Sequence, residues 1–182
     1  MPIKITFELS DGDLEYFRDA FRKAQDTALK KDEATILHEA RRQAREMRSR
    51  AVPEFVESRI RCLDSLTRML EDADWGLSGP HRERVLQALA YFADPADLIP
   101  DQIPGLGYLD DAIMVELVVQ DLRPEIDAYQ AFCRFRDEQV ASDTPPDALK
   151  KKLEARRRAM YARMEKRRDQ RSRRGGFFSI FR

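Results

Sequence analysis

Helix-breaking residues are scarce in this chain, and most of them are bunched. Seven glycines and nine prolines serve 182 residues, too few for a chain of many turns or of low complexity. They gather chiefly at Trp75-Gly76-Leu77-Ser78-Gly79-Pro80, between Asp94 and Leu109, and at Thr144-Pro145-Pro146. Between these breaks apolar residues recur every three or four positions, the spacing that places them on one face of a helix.

That periodicity predicts a succession of helices. Ser10 offers an N-cap, with Asp11, Asp13 and Glu15 suited to the positive end of the dipole. Leu14, Phe17 and Phe21 then mark a helix from about Asp11 to Leu29. Asp32 caps a second, carrying Ile36, Leu37, Ala40, Ala44 and Met47. Pro53 opens a third, with Phe55, Val56, Ile60, Leu63, Leu66 and Leu70. Pro80 opens a fourth through His81, Val85, Leu86, Leu89 and Phe92. A long pattern runs from Asp110 or Asp111 to about Arg136, and Pro124 inside it should kink or divide the helix. Thr144-Pro145-Pro146-Asp147 begins a last helix that Gly175-Gly176 ends. Only Ile3, Ile5, Phe7 and Leu9 alternate in the manner of a short strand, which would need a partner such as a second copy of the chain. The expectation is an all-α helical bundle with a short N-terminal strand.

Charge divides the same chain into three regions. Lys plus Arg and Asp plus Glu both number 33, so the formal net charge is zero, which excludes a uniformly basic or uniformly acidic binder. Residues 1–76, an N-terminal helical region, hold 14 basic and 16 acidic side chains. Residues 77–145 hold 5 basic and 13 acidic, and residues 146–182 hold 14 basic and 4 acidic. An acidic centre therefore precedes a basic tail. Such a tail either serves as an interaction arm or folds back on the acidic centre.

The acidic centre contains a distinctive run. Ala88-Leu89-Ala90-Tyr91-Phe92 leads into Pro95-Ala96-Asp97-Leu98-Ile99-Pro100-Asp101, then Ile103-Pro104-Gly105-Leu106-Gly107-Tyr108-Leu109-Asp110-Asp111. This resembles the hallmark of the YkvA-like family, DUF1232, across about residues 80–125: a helix, then P-x-D-L-I-P-D-x-I-P-x-x-G-Y-L-D-D, then a second helix. The resemblance implies a helical hairpin, often beside membrane segments, and implies no reaction. The residue types also have a structural reading. Pro95, Pro100 and Pro104 stiffen the connection, Asp97 accepts turn amides, and Asp110 caps the following helix. A functional reading would gather Asp94, Asp97, Asp101, Asp110 and Asp111 to hold Mg²⁺ or Ca²⁺ or to share a proton. The spacing does not match the calcium-loop pattern, which leaves Asp97, Asp101 and Asp110 as weak metal candidates.

Other catalytic signals are thin. His38, His81, Cys62 and Cys133 are the only histidines and cysteines. They form no local nucleophile or zinc signature, and no phosphate-binding or dinucleotide loop is present. No catalytic residue and no cofactor are expected from these patterns. The stretches from Val85 to Ala93 and from Ala112 to Gln120 are too short to span a bilayer. The N-terminus lacks a secretory pattern, so the expected place is the cytoplasm, or peripherally the inner face of the membrane.

The tail carries the stronger signal. Lys150, Lys151, Lys152, Arg156, Arg157 and Arg158 supply charge, beside a modest stripe of Leu149, Leu153, Met160 and Met164. Phe177, Phe178, Ile180 and Phe181 form a terminal cluster suited to docking. An anionic membrane surface or a protein partner fits this pattern better than nucleic acid, because the aromatics are confined to the extreme end. The reading is a non-enzymatic docking adaptor, with a metal-dependent or acid/base enzyme at the Asp-rich loop and a nucleic-acid binder as alternatives.

Overall fold

The computed structural model describes residues 8–28, 31–48, 54–92 and 109–173. Among these are seven helices and no strand: α1 (Asp11–Ala28), α2 (Glu33–Arg48), α3 (Glu54–Glu71), α4 (Gly79–Phe92), α5 (Leu109–Asp121), α6 (Arg123–Ala141) and α7 (Pro146–Arg173). The protein is all-α. Ile3, Ile5 and Phe7 lie outside the described residues, as do the side chains of Met47, Phe55, Val56, Cys62 and Phe92.

Local chemistry sets the helix starts. Ser10 Oγ accepts the Asp13 amide at 3.3 Å, and Asp13 Oδ2 accepts the Ser10 amide at 2.8 Å, a reciprocal cap with Asp in the usual Glu role. Asp32 accepts the Thr35 amide at 2.9 Å and its hydroxyl at 2.8 Å, closing the start of α2. Pro124 divides the long central pattern. α5 stops at Asp121, and Leu122 (φ −85°, ψ 9°) joins it to α6, where proline occupies the first turn. The hydrogen bonds from Leu122 to Val118 and from Ile126 to Leu122 run across the junction, so the helices meet almost end to end. Proline is tolerated there because a first-turn residue needs no intrahelical amide partner.

Packing centres on α3, which lies against α2, α4, α5 and α6, while α1 and α2 cover α4 and α7 lies along α6. The predicted apolar faces meet inside: Phe21, Ile36, Leu63, Leu66, Leu70, Val85, Leu89, Met114 and Val118 are all buried. Arg41–Glu71, Arg48–Asp64 and Arg82–Glu33 pair across helices at the periphery. Arg82 also donates to the carbonyls of Leu70 and Leu77 at 3.0 and 3.1 Å, fixing α4 on the end of α3.

The α3–α4 connection is buried at its centre. Trp75 is 0% exposed and stacks obliquely on Tyr129, Phe132 and Tyr161 at centroid distances of 5.7, 5.1 and 5.2 Å. Asp72 shapes the turn by accepting the amides of Asp74 and Trp75, both at 3.1 Å. Gly76 closes it at φ +55°, a backbone state open to glycine. Asp72 also accepts from Tyr129 Oη at 3.0 Å and Arg136 Nη1 at 2.9 Å. Burial works to raise the Asp72 carboxyl, but these hydrogen bonds outweigh it and hold the carboxyl below its ordinary range.

A depressed folded-state pKa gives stability that is complete above the unfolded carboxylate value and is lost as pH falls through the folded value. Asp72→Asn should therefore lose about 1–3 kcal/mol at pH 7 by urea denaturation. It should also show a shallower loss between pH 5 and 3 than the parent, about where carboxylates titrate.

Candidate functional site

The basic helix does not project from the bundle. α7 runs antiparallel to α6: Lys152 Nζ donates to Gln139 Oε1 at 2.6 Å, Arg156 stacks over the Phe135 ring at 5.1 Å, and Arg167 meets Asp127 at 3.0 Å. Leu153, Met160 and Met164 are buried, and Leu149 packs at the core's edge. The predicted apolar stripe is thus spent inside the protein and is closed to a lipid surface. The described part of the tail folds back on acidic helix α6.

Of the six cations singled out in the sequence, Lys150, Lys151, Lys152 and Arg158 are exposed. Arg156 is tied to Phe135, and Arg157 reaches the Asp74 carbonyl at 3.5 Å. The structure therefore separates one predicted group into an outward set and a packing set. Phe177, Phe178, Ile180 and Phe181 lie outside the described residues, and so do Asp94, Pro95, Asp97, Leu98, Ile99, Pro100, Asp101, Pro104, Gly107 and Tyr108. Asp110 and Asp111 fall in α5, with their side chains outside the described set. Among the described residues no three His, Cys, Asp or Glu side chains group to hold a metal ion.

Sequence reasoning missed a buried ionic cluster. His81 Nδ1 lies 2.9 Å from Glu125 Oε1, and Arg168 Nη1 approaches the same oxygen at 3.5 Å. The residues belong to α4, α6 and α7. Glu125 is 0% exposed and His81 7%. Arg84 lies near Glu125 and the buried Asp121; burial lowers its guanidinium while the two carboxylates oppose that shift. The His81 ring meets Tyr161 edge-on at 6.0 Å, and Tyr161 Oη donates to the Gly76 carbonyl and accepts the Ser78 amide, each at 3.1 Å. A signal was present. Arg168 stands one turn beyond Met160 and Met164 on the apolar stripe of α7, and Glu125 one turn beyond Val118 and Leu122 in the stripe that crosses from α5 into α6, where each pattern calls for another hydrophobe. The separation of 44 positions between His81 and Glu125 kept the pairing itself hidden.

A cluster this deep suits cross-linking of three helices rather than turnover of a soluble substrate. His38 is exposed. Cys133 is partly buried, and burial raises its thiol, which disfavours the thiolate.

Removing one member of a buried ion cluster strands the others. Glu125→Ala should cost about 3–5 kcal/mol in urea denaturation, since it leaves His81 and Arg168 without their acceptor. Lys166→Ala, on the exposed side of α7, should stay within about 0.5 kcal/mol of the parent.

Comparison with known proteins places the matched segment across the helices just described. The family described as a protein of unknown function, DUF1232, matches residues 84–117, from Arg84 in α4 to Leu117 in α5. "Uncharacterized membrane protein YkvA" of Bacillus subtilis (strain 168) is 30% identical over 81 residues, covering 41% of this chain and 76% of that protein. No solved structure matches the chain. With the Pro- and Asp-rich motif falling between α4 and α5 and a relative matched over three quarters of its length, the chain belongs to the YkvA-like DUF1232 family.

Proposed function

We propose that this protein is a non-enzymatic adaptor that docks on the anionic inner face of a membrane through α7 and the aromatic segment after it. The observation that carries the reading is the outward set of cations. Lys150, Lys151 and Arg158 stay exposed on a helix whose apolar side is already used by the bundle. Such a helix contributes charge to a surface, and each Lys or Arg near anionic lipid is worth about 1 kcal/mol. Insertion then falls to Phe177, Phe178, Ile180 and Phe181, whose sequence suits the headgroup boundary.

Two further observations support a surface role. No helix among the described residues is long and apolar enough to cross a membrane, and the relative bears the name of a membrane protein. The exposed carboxylates Glu154, Glu165 and Asp169 on α7 temper the field, so binding should fall as salt rises.

Sedimentation with vesicles of phosphatidylglycerol and phosphatidylcholine, against pure phosphatidylcholine, tests the proposal. The full chain should bind only the anionic vesicles. Lys150→Gln, Lys151→Gln and Arg158→Gln together should weaken binding at least tenfold, and ending the chain at Arg174 should weaken it further. Equal binding to neutral vesicles, or binding to single-stranded RNA in place of vesicles, would overturn the reading.

A further inference from the structure

The α6–α7 seam holds a second feature, distinct from the outward cations. A cavity of about 190 Å³ opens between the helices, lined by Arg134, Arg163, Arg167, Asp127 and Gln130 over Pro124, Ala128 and Ala131. The space exists because α6 presents a proline and two alanines there, while α7 presents long arginines that frame the gap without filling it. One carboxylate serves this group. Asp127 Oδ2 takes Arg167 at 3.0 Å, and its Oδ1 lies 4.0 Å from Arg123 Nε. Arg134 and Arg163 are exposed and form no ion pair among the described residues. Asp137 and Glu138 stand three and four residues beyond Arg134 on the same helix, yet neither pairs with it. Arg163 has no acidic residue three or four positions away on α7.

Arginines from two helices thus line one gap, three of them against a single carboxylate, with an excess of positive charge. Two such cations at one cavity repel each other, and an anion between them removes that repulsion. Planar forked donors match the oxygens of a phosphate ester better than a point charge does, and the Gln130 amide adds a neutral donor at the rim. We infer that the α6–α7 cavity binds a phosphate monoester or diester, held by Arg134 and Arg163 and positioned by the Arg167–Asp127 pair.

The same chemistry has two sources, a soluble phosphate ester and a phospholipid headgroup. The site is separable from the outward cations Lys150, Lys151 and Arg158, so its failure and the failure of vesicle docking are distinguishable. The test follows the arginine Nε–Hε resonances of the full chain by NMR, titrated in one arm with glycerol phosphate. The other arm uses dihexanoyl phosphatidylglycerol below its micellar concentration. Saturable shifts in both arms would support a general phosphate-ester site. Shifts with the lipid alone would support it as a headgroup site. In either case Arg134→Gln with Arg163→Gln should weaken the response at least tenfold, and Ala131→Leu, which fills the floor and leaves every arginine in place, should do the same. Lys150→Gln with Lys151→Gln should leave it unchanged. Absence of a saturable shift in both arms, or an unaltered response in the double arginine variant and in Ala131→Leu, would overturn the inference. Circular dichroism of each variant, matching the parent, shows that the loss is not unfolding.

Discussion

Burial of Trp75 is the contact on which the rest of the arrangement hangs. It sits in a connection, where most chains place polar residues at the surface, yet it is fully enclosed by Tyr129, Phe132 and Tyr161. Those three rings come from α6 and α7, while the tryptophan belongs to the turn that ends α3 and precedes α4. One side chain therefore joins the N-terminal helices to the C-terminal pair. The polar shell around it works in the same direction, since Asp72 satisfies the turn's own amides and takes Tyr129 and Arg136 from α6.

The second joint is ionic, and it has a different character. Two charges withdrawn from water regain their desolvation cost only when geometry and extra hydrogen bonds are good. Glu125 meets this in part: Oε1 faces His81 and Arg168, while Oε2 is buried without a hydrogen-bond donor among the described residues. Such a cluster adds little net stability compared with a hydrophobic filling. It does fix register, because an apolar stripe tolerates sliding and a buried carboxylate does not. Leu153, Met160 and Met164 supply adhesion along α7, and Glu125 with Arg168 sets where along α6 that adhesion takes hold.

Much of the fold could be read from local pattern. The caps at Ser10 and Asp32, the break at Trp75–Pro80 and the start at Pro146 each follow from residues within five positions of one another, which is the range of helix signals. Pro124 was legible as an interruption, and its form, two helices separated by the non-helical backbone of Leu122 with hydrogen bonds carried across, was not. The stripe on α7 was legible too, but its destination was not, because periodicity gives a face and not a partner. The same limit explains the site. Lys150, Lys151 and Arg158 were separable from Arg156 and Arg157 only once Phe135 and Asp74 were seen beside the latter. His81 with Glu125, Asp72 with Arg136, and the arginines framing the α6–α7 cavity are separated by tens of residues and become neighbours only through tertiary packing.

The cluster near the start of α4 has a consequence for how the bundle responds to salt. His81 faces Glu125 and Arg168 from within the packed helices, where charges are screened far less than at the surface. The pairs at the periphery, Arg41–Glu71, Arg42–Glu46 and Arg123–Asp127, stand in solvent. Rising ionic strength therefore loosens the outer pairs first and leaves the joint of α4, α6 and α7 in place. The register of the C-terminal pair is the last electrostatic feature of the bundle that salt reaches.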